Sequence, residues 1–184
     1  MTTHTVKLGI RIAAFSLLAG LGACASAADP GAMTVSAPAA TASAAPAFPD
    51  KLQHAMCVHN VTGGEETNPM WVSKVDDNGF KTALTGSLDN AGLSAQSGSC
   101  TYQIDVNLLG LSQPSMGLDM TVTSHVNYKV LDQSGQPYLL ATIDAPFTAT
   151  MGDAFVGVER LKLANEGAIR TSIQMFFDKL RAQQ

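Results

Sequence analysis

Cys57 and Cys100 are the only thiols beyond residue 24 of this 184-residue chain. What they do depends on where the chain folds. Residues 1–23 carry Lys7 and Arg11, then an uncharged run from Ile12 to Gly22. That is the layout of an export signal, and the run is too short for a transmembrane helix, which needs roughly 20 apolar residues. In an oxidising compartment the two thiols are expected to form a disulfide. The competing chemistry is a metal site from His54, Cys57 and His59. On a strand, Cys57 and His59 share a face while His54 points away, and a disulfide consumes the thiol. No metal and no cofactor are therefore expected. His125 and Asp119 share a strand face, but six residues of strand separate them by about 20 Å, beyond hydrogen-bond reach. No G-x-S-x-G, P-loop or G-x-G-x-x-G occurs, and the side chains of Glu65-Glu66 and Asp76-Asp77 diverge. No catalytic residue is expected. The candidate partner-binding residues are Trp71, next to Asn68-Pro69-Met70, with Thr121, Thr123 and His125 on a polar strand face. The plainer alternatives are a core Trp seating the first helix and ordinary solvated threonines.

The elements that would position these residues follow from periodicity. Phe80, Ala83, Leu84, Ser87, Leu88 and Ala91 recur at the spacing of one helix face after Asp76-Asp77-Asn78, with Gly92 placed to end the helix. Apolar and polar residues alternate strictly over Thr101–Leu109, Leu118–Val130 and Tyr138–Thr150, predicting three strands with one face covered and one polar. Turn residues at 114–117 and 132–135 make them a meander. A long helix is predicted from Asp153 to about Ala182, with Glu166 and Arg170 pairing at i, i+4 on its outside. Gly157 and Gly167 mark close packing or a bend. Met56–Val61 supplies a first strand. The expected fold is α+β, with an antiparallel sheet of about four strands in β-α-β-β-β-α order and two helices on one face.

Residues 25–49 hold 11 Ala, 4 Pro and 3 Ser, a composition expected to form a flexible tether between residue 24 and a single domain spanning 50–184. Lys7 and Arg11 are the only charges in residues 1–23. Without them the eleven basic groups fall to nine, against fifteen acidic. A chain this acidic is a poor ligand for nucleic acid or anionic lipid headgroups.

Leu21-Gly22-Ala23-Cys24 resembles the bacterial lipobox, in which small residues precede a cysteine that is acylated and becomes the mature N-terminus. The resemblance implies a Cys24 lipid anchor. Ala25, in place of Asp, after the cysteine implies the outer membrane. The alternative is an ordinary signal peptide cut near Ala23-Cys24-Ala25, which leaves no anchor. Three further stretches carry a second resemblance: Asn68-Pro69, Gly117-Leu118-Asp119-Met120-Thr121-Val122, and Asp153-Ala154-Phe155 with Glu159-Arg160-Leu161 and Ala164-Asn165-Glu166-Gly167-Ala168-Ile169-Arg170. Over roughly residues 50–184 they resemble uncharacterised proteobacterial envelope lipoproteins, similar in layout to YajG-like lipoproteins and more distantly to the lipopolysaccharide-assembly lipoprotein LptE. Some chains of that type carry the label UDP-N-acetylglucosamine acyltransferase, whose left-handed β-helix needs hexapeptide repeats that are absent here. An anchor, a tether and a compact domain with no catalytic constellation lead to the expectation of a non-catalytic binding or envelope-assembly module on the periplasmic face of the outer membrane, with an envelope protein, glycan or lipid as partner. The alternative is a carrier of a small lipid or glycan. An acyltransferase-type enzyme ranks last.

Overall fold

The computed structural model describes residues 25–36, 47–68, 73–96 and 100–183. Cys24, Trp71 and residues 1–23, expected to be an export signal, lie outside the described residues. The elements are α1 (Pro30–Met33), β1 (Met56–Thr62), α2 (Asp77–Asn90), β2 (Tyr102–Ser112), β3 (Met120–Asp132), β4 (Pro137–Ala149) and α3 (Gly157–Arg181), with a 3-10 turn at Asp50–Leu52.

Local chemistry sets α2. The Asp76 carboxylate accepts from the Gly79 amide at 2.8 Å, which satisfies a first-turn donor. At the other end Gly92 takes φ +71°, a conformation that costs glycine little. Leu93 N then reaches Leu88 O at 2.9 Å, and Gly92 N reaches Asp89 O at 3.1 Å. This pair of bonds closes the helix and buries Leu93 beneath it.

The four strands form one sheet in the order β1-β2-β3-β4. β2, β3 and β4 are the expected antiparallel meander. The sheet is mixed, not wholly antiparallel, because β1 pairs parallel with β2. The reason is the connection: α2 carries the chain back along the sheet, so β2 starts where β1 started. The cysteines fall at the two strand starts and form a disulfide, with Cα atoms 5.7 Å apart.

α2 and α3 cover one face. Phe80, Tyr128, Phe176 and Phe177 fill the layer between helices and sheet. The Tyr128 and Phe176 rings stack at 4.3 Å, and the Tyr128 hydroxyl shares a 3.0 Å hydrogen bond with Ser172. Burial pushes that phenol well above its ordinary pKa, so it stays a neutral core group. Gly167 brings α3 hard against the sheet, since a Cβ there would lie 2.2 Å from Phe147 Cδ1.

Three expectations need correction. α3 begins at Gly157, four residues later than expected. Asp153 instead closes a turn, its carboxylate accepting from the Thr150 amide at 2.7 Å and the Thr150 hydroxyl at 2.9 Å; these bonds hold its pKa below the usual carboxylate range. Glu166 and Arg170 do not pair on the outside of the helix. Glu166 is buried and accepts from the Asp29 amide at 2.7 Å, while Arg170 donates to Ala32 O at 2.5 Å. Finally, the first part of the expected tether, residues 25–36, packs on the domain. Met33 is fully buried in the main core with Ala28. Ser87 Oγ accepts from Val35 N at 2.9 Å, and Asn90 Nδ2 donates to Val35 O at 3.0 Å. Small residues let the segment lie close to α2 and α3, and one methionine is enough to anchor it. Burying such a side chain contributes about 1.5–3 kcal/mol.

Candidate functional site

Alternation along β3 sends Val122, Ser124, Val126, Tyr128 and Val130 into the helix layer and leaves Thr121, Thr123, His125, Asn127 and Lys129 on the opposite face. Among the described residues the helices pack on one side only, and nothing covers this second face. Its polar side chains are ordered by cross-strand pairing. Asn127 lies between Asn107 and Thr142 in register and accepts from the Thr142 hydroxyl at 2.8 Å. Thr121 and Thr148 share a hydrogen bond at 2.9 Å. Toward the β1 edge, His59 Nδ1 meets Asp105 Oδ1 at 2.8 Å.

His125 sits at the middle of the densest row. Its Nδ1 meets Asp144 Oδ1 at 2.7 Å, and its Nε2 meets Ser112 Oγ at 2.9 Å. The β3–β4 turn, together with a register shift between Val130 and Leu131, puts Asp144 directly opposite His125. A bulge between Leu108 and Gly110 resets β2, placing Gly110 opposite His125 and Ser112 opposite Thr123. Gly110 presents no side chain, and the imidazole spans diagonally to Ser112.

The bonding order Ser112–His125–Asp144 is that of a nucleophilic triad, in which a carboxylate orients an imidazole that accepts the hydroxyl proton. Its surroundings are those of an open surface. The Asp144 side chain is 65% exposed and that of His125 is 37% exposed. At such exposure a charge at 4 Å is worth about 1 kcal/mol, against several in a dry site. Ser112 is the exposed last residue of an extended strand, not a residue on a strained turn. The cleft of about 220 Å³ lined by His54, Asp89 and Gln96 belongs to another part of the surface.

Of the sequence-level candidates, Thr121, Thr123 and His125 come together on this face. His59 binds Asp105, and His54 Nδ1 contacts Gln96 Nε2 at 3.1 Å. Among the described residues no group of three metal-ligating side chains converges. Ser112 and Asp144 are the residues sequence reasoning missed. Searching along one strand finds only Asp119, whereas the partner of His125 lies across the hairpin. Strict pairing counted back from the turn at 132–135 puts Ile143 opposite His125, and a register shift between Val130 and Leu131 brings Asp144 there instead. The β2 bulge carries no sequence signal beyond Gly110.

No family model matches the sequence, and no curated protein matches it. Solved structures do. Protein XCC0632 from Xanthomonas campestris, of the DUF330 family, has a TM-score of 0.57 at 12% identity, covering 82% of this chain and 96% of that one. A candidate lipoprotein from Caulobacter crescentus has a TM-score of 0.49 at 14% identity, over 71% and 90%. Protein CT253 from Chlamydia trachomatis has a TM-score of 0.46 at 10% identity, over 70% and 93%. At 12% identity the likeness to XCC0632 is one of fold: this chain shares the α+β architecture of that protein.

Proposed function

We propose that the chain is a lipid-anchored, non-catalytic binding module of the bacterial envelope, held by Cys24 on the periplasmic face of the outer membrane and engaging a partner through the uncovered sheet face. One observation carries the reading. Among the described residues nothing packs over one face of the four-stranded sheet, and Thr121, His125 and Asn127 on it are fixed by their neighbours, so a partner meets side chains with little rotamer entropy left to lose. The lipobox at 21–24 and the Cys57–Cys100 disulfide support the compartment. No helix among the described residues is long and apolar enough to cross a membrane. A protein or glycan suits such a face, since Thr, Asn and His offer both donors and acceptors.

A photo-crosslinking residue at Thr123, compared with one at the exposed Lys179 of α3, tests this in whole cells. A discrete adduct at Thr123 that is absent at Lys179 supports the reading. Equal patterns, or none, overturn it. The Ser112–His125–Asp144 row motivates a second reading, a hydrolase. That reading requires covalent labelling of Ser112 by a fluorophosphonate, lost in Ser112→Ala; the binding reading expects no label. The carrier alternative needs space between helices and sheet, and Phe80, Tyr128 and Phe176 occupy that space.

A further inference from the structure

The three most exposed of the large apolar side chains, Met116, Phe155 and Leu118, gather at one end of the domain. Met116 (83% exposed) and Leu118 (73%) lie in the β2–β3 loop, and Phe155 (83%) and Val156 lie in the loop before α3. These loops are one surface because Arg160 clamps them together. Its guanidinium donates to Ala154 O and Phe155 O, both at 2.8 Å, and to Gly117 O at 3.3 Å. Exposed large apolar groups at adjacent loop tips mark a contact surface.

The N-terminal segment arrives at this same end. Arg170 holds Ala32 and Glu166 holds Asp29, so going back along the chain the segment climbs α3 toward its N-terminus. Ala28 N bonds Lys74 O. The neighbouring Ser73 O accepts from Asn165 at 2.8 Å and from Gln113 at 3.2 Å, and Gln113 opens the loop that carries Met116 and Leu118. Ala28 is bonded and buried, Ser26 and Ala27 are exposed, and Ala25 is buried. Cys24 is one peptide bond away, about 3.8 Å between Cα atoms.

We propose that the Met116–Leu118–Phe155–Val156 end is a membrane-contact surface, inserted at the interface of the bilayer that holds the Cys24 lipid. This rests on the anchored reading above. Four Cα steps separate Cys24 from the bonded Ala28, a reach of about 15 Å at most, so a lipid on Cys24 keeps these loop tips near the headgroup level. Asp119 and Glu159 flank the patch, so contact is apolar insertion and not attraction to anionic lipid. The uncovered sheet face then stands beside the membrane normal and stays free for a partner.

The test uses the full lipidated chain in phosphatidylcholine vesicles with brominated acyl chains, carrying Phe155→Trp or Leu140→Trp, each read against the background of Trp71. Leu140 lies about 30 Å along β4 from the patch. The expected result is strong quenching at 155 and none at 140. Intact mass decides whether Cys24 is acylated. An acylated protein with equal or absent quenching at both positions overturns the contact surface while leaving the anchor standing. If the protein is not acylated, the anchor fails, and the surface is tested alone by sedimentation with vesicles. There Leu118→Ser with Phe155→Ser should weaken partition by about tenfold per side chain. An unchanged partition overturns the proposal. So does a change of oligomeric size in Phe155→Ser without quenching at 155, which would assign the patch to protein contact.

Discussion

Gly167→Ala is the sharpest probe of the contact that holds the sheet beneath the candidate site. A Cβ at this position would meet Phe147 Cδ1 at 2.2 Å, Cε1 at 2.4 Å and Cγ at 2.4 Å. Rotating the ring about its own axis does not help, because Cγ lies on that axis. Either Phe147 changes its χ1 rotamer or α3 lifts from β3 and β4. Lifting α3 also stretches the 3.1 Å bond from Ser124 Oγ to Ala168 O, directly beside His125. With three ring atoms at 2.2–2.4 Å, overpacking costs the upper part of its usual range, about 2–3 kcal/mol, while replacing a helical glycine by alanine returns about 1 kcal/mol. The steric cost wins. Urea unfolding with the disulfide intact should show a net loss of about 1–2 kcal/mol, or roughly 3–6 °C in Tm. Repeating the substitution in a Phe147→Ala background removes the clash, and Gly167→Ala should then stabilise by up to about 1 kcal/mol. The inversion of sign is the signature. An equal effect in both backgrounds, or a stabilising Gly167→Ala on its own, would refute the close helix–sheet contact.

Other perturbations follow from the same packing. Met33→Ala should cost about 2–3 kcal/mol and expose residues 25–36 to proteolysis; unchanged protection would show that the segment does not depend on its buried methionine. Burial pushes the Glu166 carboxyl up, outweighing the pull of the Asp29 amide and Lys162. The folded state therefore keeps that proton longer than the unfolded chain, and stability falls as pH rises from the ordinary carboxylate range through the raised value. Glu166→Gln should flatten that slope in denaturant midpoints measured across the window, while the amide oxygen still accepts from Asp29; a slope unchanged in the variant would place the titration elsewhere. Removing the disulfide by Cys57→Ser with Cys100→Ser reopens a span of 43 residues, worth about 4 kcal/mol in the chain-entropy model. A loss below about 1 kcal/mol in calorimetry would contradict this. His125→Ala, on an open face, should change stability by no more than about 0.5 kcal/mol, so that any loss of Thr123 crosslinking in that variant reports the surface and not the fold.

Elements whose causes are local were readable in the residues themselves. Asp76 and Gly92 bracket α2 through bonds made within a few positions. The strict alternation of β3 determines that His125, Thr121 and Thr123 share a face, whatever the rest of the chain does. The two cysteines pair because the rest of the folded chain offers no other thiol. The tertiary structure decided what depends on residues distant in sequence. Asp144 and Ser112 join His125 only through a hairpin register and a bulge. The parallel pairing of β1 depends on α2 crossing back over the sheet. The segment at 25–36 has the composition of a tether, yet Met33 finds a fully buried site, and the Glu166 carboxylate 137 positions away holds Asp29. A helical position is polar or apolar in sequence, but whether a charge there faces water or receives another segment depends on what folds against it. Glu166 shows the difference: periodicity assigns it to solvent, and packing turns it into the latch that holds Asp29 against α3.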